Sequence, residues 1–346
     1  MKQTFIHLSV MLLAALACAS CGNNGEALYF AFDNITAVDS FPNTADLTQI
    51  DPEIVDIDVA GMQNVSIYDS LLCVMSSNAN GYMYVYNKNT MHFYGSFIKQ
   101  GRGPGEVLWN PGFNHFSRSD DGRLFFSDNM QIIELDLDAS VKKGQTVASV
   151  YKENQPNNLD YYLVVSDSFK VAKSINPAMD GFTRVVIKDG KNCSTVNQEI
   201  LNGKVLTKGD PGKFNLLGSA MAYDSKNDVV VEMSIMTNTI NLYSLFSDFA
   251  MTLCIGEKPD DIHRLEKAIY GSTGDVFRDL KTYEDIFLVL YAKGKGEKTV
   301  MVFQWDGRPV ASIKVPKYVG GVCADLDNNV LYAVDSENER LLKWNL

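Results

Sequence analysis

Residues 64–98 read "NVSIYDSLLCVMSSNANGYMYVYNKNTMHFYGSFI". Four apolar runs stand in this stretch: "NVSIYD", "LLCVMSS", "YMYVYNK" and "HFYGSFI". Each is short and rich in Val, Ile, Tyr or Phe, the side chains that pack best on a pleated, half-buried surface. The gaps between them carry Asp69-Ser70, Asn78–Gly81 and Asn89, residues that favour reversal of the chain. Together these features predict one four-stranded antiparallel meander, and the fold depends on how often that unit recurs.

It recurs about every 50 residues. Pro52, Pro104, Pro156, Pro211, Pro259 and Pro316 follow one another at steps of 52, 52, 55, 48 and 57 residues. Each stands just after an apolar stretch, and proline ends a strand because it cannot donate to the ladder. An acidic turn follows each proline: Asp69-Ser70, Asp120-Asp121-Gly122, Asp167-Ser168, Asp224-Ser225, Glu284-Asp285 and Asp327-Asn328-Asn329. A period near 50 marks arrays and propellers. Several runs, among them "DVVVEM", "DIFLVLYA" and "TVMVFQW", are apolar on both faces. A sheet with one wet face would alternate instead, so these runs suit sheets stacked face to face around an axis. The prediction is an all-β, six-bladed β-propeller of four-stranded antiparallel blades. After Pro316 only three strands remain, "GVCADL", "NVLYAVD" and "RLLKWNL". The last blade is therefore expected to be closed by an N-terminal strand, placed at Thr44–Ile50, "TADLTQI". One short helix is expected near 259–271, where Ile262, Leu265 and Ile269 have helical spacing and Gly271 follows.

The chain begins with a leader. Lys2 precedes an apolar run from Leu8 to Ala17, too short to span a bilayer and the right length for a signal-peptide core. It ends in "ALACASCGNN", with small residues before two cysteines, as in a bacterial lipobox. Cys21 is favoured over Cys18 as the lipidated residue because it leaves the longer apolar core intact. The expected organisation is a signal peptide at 1–20, a tether and lead-in at 21–43, and one propeller domain at 44–346. Such a chain is held at the membrane by lipid alone. The net charge is −11, with 31 Lys+Arg against 42 Asp+Glu and no basic cluster, which argues against nucleic acid as a partner. Beyond the leader, Cys73, Cys193, Cys254 and Cys323 are widely spaced, and most lie in apolar runs, as buried free thiols do.

The Gly-rich stretch "KQGRGPGEV" at 99–107 lacks both the GKS/GKT ending and the following helix of a phosphate loop. It reads as the crossing from the first blade to the second, and "TKGDPGKF" at 207–214 repeats it in degenerate form. Arg102 and Glu106 in this crossing, with Trp109 and Phe113 beyond it, are the candidate binding residues on the channel face.

Five segments carry a resemblance to a known family: "SFPNTADL" (40–47), "IYDSLLCV" (67–74), "GSFIKQGRGPGEV" (95–107), "DIFLVLYAKGK" (285–295) and "VFQWDGRPV" (302–310). Together they resemble the TolB-like six-bladed β-propeller lipoproteins of gut Bacteroidetes. The sharpest match is to the family's "KGRGPGEF", from which this chain departs at Gln100 and Val107. The resemblance implies a six-bladed propeller on an exported, outer-membrane lipoprotein. It implies no reaction.

No GxSxG elbow, zinc spacing or local Cys–His signature occurs. Asp325, Asp327 and Asn329 alternate as calcium ligands do, but without the central Gly and terminal Glu of a calcium loop, so they read as a hairpin turn. No catalytic residue, metal or cofactor is predicted. Two functions are weighed. The first is a monomeric, non-enzymatic binding or scaffolding module at the cell envelope, recognising a protein or glycan on its channel face. The second is a calcium-assisted lactonase or other carbohydrate-acting enzyme.

Overall fold

In the computed structural model, the described residues are 31–346 apart from 104, 109, 112–115, 129–130, 152–158, 177–180, 194, 196–217, 262–274 and 295. Three strands precede the first blade: β1 (Ile35–Val38), β2 (Asn43–Asp46) and β3 (Glu53–Val55). Blade one is β4 (Met62–Tyr68), β5 (Leu71–Ser76), β6 (Met83–Asn87) and β7 (Phe93–Phe97). A parallel pair, β8 (Lys99–Gln100) and β9 (Glu106–Val107), forms the crossing. Blade two is β10 (Ser117–Arg118), β11 (Leu124–Asp128), β12 (Gln131–Leu135) and, after helix α1 (Leu137–Lys143), β13 (Ala148–Val150). Blade three is β14 (Leu159–Ser166), β15 (Phe169–Ile175), β16 (Phe182–Lys188) and β17 (Lys191–Cys193). Blade four is β18 (Ser219–Asp224), β19 (Val229–Ser234), β20 (Thr239–Tyr243) and β21 (Ala250–Ile255). Blade five is β22 (Asp275–Thr282), β23 (Ile286–Lys293), β24 (Glu297–Gln304) and β25 (Pro309–Val315). Blade six is β26 (Val319–Asp325), β27 (Val330–Asp335), β28 (Arg340–Asn345) and β3.

The six-bladed propeller is thus the fold, and its core lies between blades. One apolar cluster joins each successive pair, including blade six to blade one. Strand β23 shows why the two-sided apolar runs were needed. Phe287, Val289 and Tyr291 pack toward blade four, whereas Leu288 and Leu290 pack toward blade six. Alternate residues of one strand point to opposite faces, so a blade with neighbours on both sides buries both of its faces. All six acidic turns fall between the first and second strands of their blades, as at Tyr68/Leu71 and Asp325/Val330. Asp69, Asp228 and Asn329 adopt positive φ there, a conformation these side chains tolerate.

The last blade is closed by an N-terminal strand, but not by Thr44–Ile50. The closing strand is β3, antiparallel to β28 with Ile54 opposite Leu342. The segment before it runs around the rim as a strap. Strand β1 adds parallel to β21 at the edge of blade four, and β2 adds parallel to β25 at the edge of blade five. Leu47 enters the core between blades five and six, and Trp344 Nε1 donates to the Ile50 carbonyl at 3.0 Å. The strap covers backbone donors and acceptors that free sheet edges would expose. The described helix also lies elsewhere than expected. Residues 259–261 are not helical, and 262–274 lie outside the described residues. Helix α1 at 137–143 is capped by the Asp136 carboxylate, which accepts from Ala139 N, and ended by Gly144 at φ 66°.

Candidate functional site

First strands of successive blades touch one another around the axis, as β26 does β4 and β14 does β18. They run in one sense, so all six acidic turns gather at one end of the channel. There the turns serve as clasps between blades. Lys88 of blade one holds Asp325 (2.9 Å) and Asp327 (3.0 Å) of blade six. Asp69 of blade one pairs with Arg118 of blade two at 2.6 Å. Arg123 of blade two reaches Asp167 of blade three at 2.7 Å, and Lys226 of blade four reaches Glu284 of blade five at 3.3 Å. Most of these pairs are exposed and contribute about 0–1 kcal/mol each. Lys88 and Asp325 are buried. Burial would raise the Asp325 carboxyl, but the Lys88 ammonium and Asn328 prevail and hold it below its ordinary range. The Lys88 ammonium therefore sits between Asp325 and Asp327, where the calcium reading would put an ion. Among the described residues, no three His, Cys, Asp or Glu converge as metal ligands.

A cavity of about 170 Å³ opens inside this ring. Its wall takes residues from the ends of the inner strands: Tyr68 of blade one, Arg118 of blade two, Leu163 of blade three, Tyr223 of blade four, Lys281 and Tyr283 of blade five, and Cys323 of blade six. Asp120 and Ser117 join them. The Ser225 hydroxyl donates to Asp120 Oδ1 at 3.0 Å, a contact from blade four to blade two that reaches past blade three. Lys281 Nζ donates to Asp279 Oδ1 (2.8 Å) and Asn64 Oδ1 (3.1 Å). The other Asp279 oxygen accepts from Val322 N, so this fully buried carboxylate joins blades five and six.

The phenols and the thiol of the wall are held in their neutral forms. Burial pushes the Tyr68 hydroxyl well up, and the same cause raises the Cys323 thiol. Tyr223 is raised by burial and by Asp228, which accepts a hydrogen bond from its hydroxyl at 3.1 Å. Tyr283 is raised mainly by burial while its Oη accepts from Ala324 N at 2.7 Å. A thiol or phenol above its ordinary pKa is a poor nucleophile at neutral pH, so these groups present hydrogen-bonding and apolar surface. A larger space of about 690 Å³ lies at the rim under the strap, but one wall ends at Asp261, where the described residues stop.

Arg102 and Glu106 do not line the channel cavity. Both are exposed in the crossing, and the Glu106 carboxylate turns back onto its own loop to accept from Gly103 N at 2.7 Å. Trp109 and Phe113 lie outside the described residues. The glycines answer to this geometry. A Cβ at Gly101 would stand 1.9 Å from Glu106 Oε2, and Gly105 has φ +77° with the Thr146 carbonyl 3.0 Å from its missing Cβ. Gly105→Ala should therefore cost about 1 kcal/mol or more. Gly101→Ala, which need only displace the flexible end of Glu106, should cost less. Thermal melts of the two variants check this order, and equal stability for wild type and Gly105→Ala would count against it.

No family model matches the sequence, and no curated protein is similar to it. Solved structures do share its fold. One is a Bacteroides fragilis protein described as exported, 11% identical over 89% of this chain and 98% of that one, with a TM-score of 0.52. Another is a member of the DUF4221 family from Bacteroides vulgatus, 11% identical over 86% and 98% of the two chains, with a TM-score of 0.49. A third is the β-propeller domain of Myceliophteria thermophila Cps50 (Swd1), 10% identical over 84% and 98%, with a TM-score of 0.43. At such identities the likeness concerns the fold. Among the described residues, no helix is long and apolar enough to cross a membrane.

Proposed function

We propose that this chain is an exported, lipid-anchored propeller that binds an envelope protein or glycan at its channel mouth without transforming it. The observation that carries this reading is the channel cavity, whose tyrosines and thiol are kept neutral by burial beside Arg118 and Lys281. Such a wall offers contacts and hydrogen bonds but no activated nucleophile. The likeness to a Bacteroides protein described as exported supports the envelope placement, as does the resemblance to TolB-like lipoproteins. Residues 1–20 are then the signal peptide and Cys21 the anchor, with the propeller acting as a monomer.

The test pairs two readouts. Thr282, exposed on the cavity rim, is replaced by Trp to cover the mouth. Capture of the envelope partner by cross-linking should be lost while the melting temperature is kept. Equal capture by Thr282→Trp and wild type would sink the channel reading. Fatty-acid labelling should survive Cys18→Ala and vanish in Cys21→Ala. The reverse pattern would move the anchor to Cys18.

A further inference from the structure

We infer that the channel cavity takes a single carboxylate carried on a small ring or short chain, an assignment that rests on the channel-mouth reading above. The argument is an inventory of protons. Arg118 has five N–H donors and gives one side of its guanidinium to Asp69. Its side chain is 40% exposed and lines the cavity, so its other donors are open to a ligand. Lys281 spends two of its protons on Asp279 and Asn64, and an ammonium has three. Tyr283 Oη receives the Ala324 amide and retains its own proton for donation. Ser117 supplies the sharpest sign. It lines the same cavity, is only 8% exposed, and its Oγ has no hydrogen-bond partner. A buried hydroxyl without a partner costs free energy that a bound group can return.

The wall carries two cations, Arg118 and Lys281, against a single carboxylate among the described lining residues. That carboxylate, Asp120, already receives the Ser225 hydroxyl. The missing occupant is therefore an acceptor. The acidic turns around the mouth limit its charge. Asp69, Asp121, Asp167, Asp224, Glu284 and Asp285 stand in the turns at this end against the cations Arg118, Arg123 and Lys226, and the excess of negative charge repels a ligand more with each negative charge it carries. A monoanion gains the guanidinium at the least cost. Size sets the rest. An engineered apolar cavity of about 150 Å³ admits benzene, and this one measures about 170 Å³. Phe116, Tyr161, Leu163 and Met221 supply the apolar surface for the ring or chain.

Calorimetric titration with benzoate, benzamide, benzylamine and phenylphosphonate tests the assignment on the full mature chain. Benzoate should bind with one site per chain and the others far more weakly. Arg118→Ala should weaken benzoate about tenfold or more, the loss expected for a charge-assisted hydrogen bond, and Ser117→Ala should weaken it by a smaller factor. Both variants should melt as wild type does, because among the described residues Arg118 is ion-paired with exposed Asp69 and the Ser117 hydroxyl has no hydrogen-bond partner to lose. Lys281 is left unaltered, since its loss would strand buried Asp279. Equal binding of benzamide, preference for benzylamine or phenylphosphonate, unchanged benzoate affinity in Arg118→Ala, or no benzoate binding at millimolar concentration would each overturn the assignment. The two readings fail separately. Benzoate bound through Arg118 while Thr282→Trp still captures the partner sinks the channel-mouth function alone. Indifference between benzoate and benzamide, with capture blocked, sinks the carboxylate alone.

Discussion

Glu232→Gln should destabilise the propeller by about 3–5 kcal/mol, the cost of removing one partner from a buried ion pair. Glu232 lies in β19 with its side chain 1% exposed, and it binds across the interface of blades three and four. Arg184 grips it through two bonds, Nε to Oε2 at 2.7 Å and a terminal nitrogen to Oε1 at 2.5 Å. Lys173 Nζ stands 3.3 Å from the same Oε1, and Ser219 and Tyr243 donate to the carboxylate at 2.9 and 3.3 Å. Lys173 also lies over the Phe182 ring at 3.7 Å. Burial alone would raise the Glu232 carboxyl, but Arg184 and Lys173 outweigh it and pull the pKa from 4.5 down to about 2. A depressed carboxylate stabilises the fold above its unfolded pKa and loses that contribution as the pH falls toward its folded value. Wild type should therefore lose stability between about pH 4.5 and 2, and Glu232→Gln should lose less over that window. Urea unfolding at several pH values reads both effects. Stability of Glu232→Gln within about 1 kcal/mol of wild type at neutral pH would show that the pair contributes no more than an exposed one.

The repeat was legible because it is written in residues whose backbone preferences do not depend on context. Asp69, Asp120, Asp224 and Asn329 mark turns wherever they stand between apolar runs, and the structure places a hairpin at each. The strap was not legible for the opposite reason. Strand β2 is "NTAD", exposed at every position, and pairs through its backbone, with one side-chain bond from Asn43 Nδ2 to the Val310 carbonyl, so no apolar pattern announces it. The repeat pattern points to "TADLTQI" as the closing strand because it stands before Pro52, the place a fourth strand holds before the proline of the other repeats. Its Leu47 is buried, but as a plug between blades, while the three residues "EIV" complete the ladder. Helix α1 did leave a sign, Asp136 and Gly144 at the two ends of "LDASVKK", that an argument from proline spacing passes over.

The candidate site was partly written in the same turns. Tyr68-Asp69, Tyr223-Asp224 and Tyr283-Glu284 repeat one pattern, an aromatic residue followed by an acid, and all three tyrosines line the cavity. Turn register thus points to the channel mouth more directly than glycine content does. Arg118 could not be found this way. Its place depends on the ring bringing blade two beside Asp69 of blade one, and long-range pairing of that kind has no local signature.

Truncation of the strap should have the largest effect of all. Deleting residues 22–34 removes Phe32, which is buried against Tyr243 at a ring distance of 5.8 Å, and should cost about 1.5–3 kcal/mol for one apolar side chain. Deleting 22–50 also removes β1, β2, Phe41 and Leu47, with the Trp344 Nε1 bond to Ile50. Deleting 22–55 takes β3 as well and leaves blade six with three strands and a bare edge along β28. The interface of blade six with blade one then loses Val55, and the last blade loses the N-terminal strand that ties the two ends of the chain together. A closed ring buries every blade on both faces, so opening it exposes two apolar faces and a pairing-competent edge together. Circular dichroism melts should show a stepwise loss across the series, with the longest deletion aggregating or giving no cooperative transition. The point variant Leu47→Asp, which puts an unpaired charge into the core between blades five and six, should reproduce much of the 22–50 loss without shortening the chain. An unchanged melting temperature in the 22–55 deletion would mean that the six blades close without the strap. The covered edges of blades four and five would then be ornament rather than the means by which the ring holds.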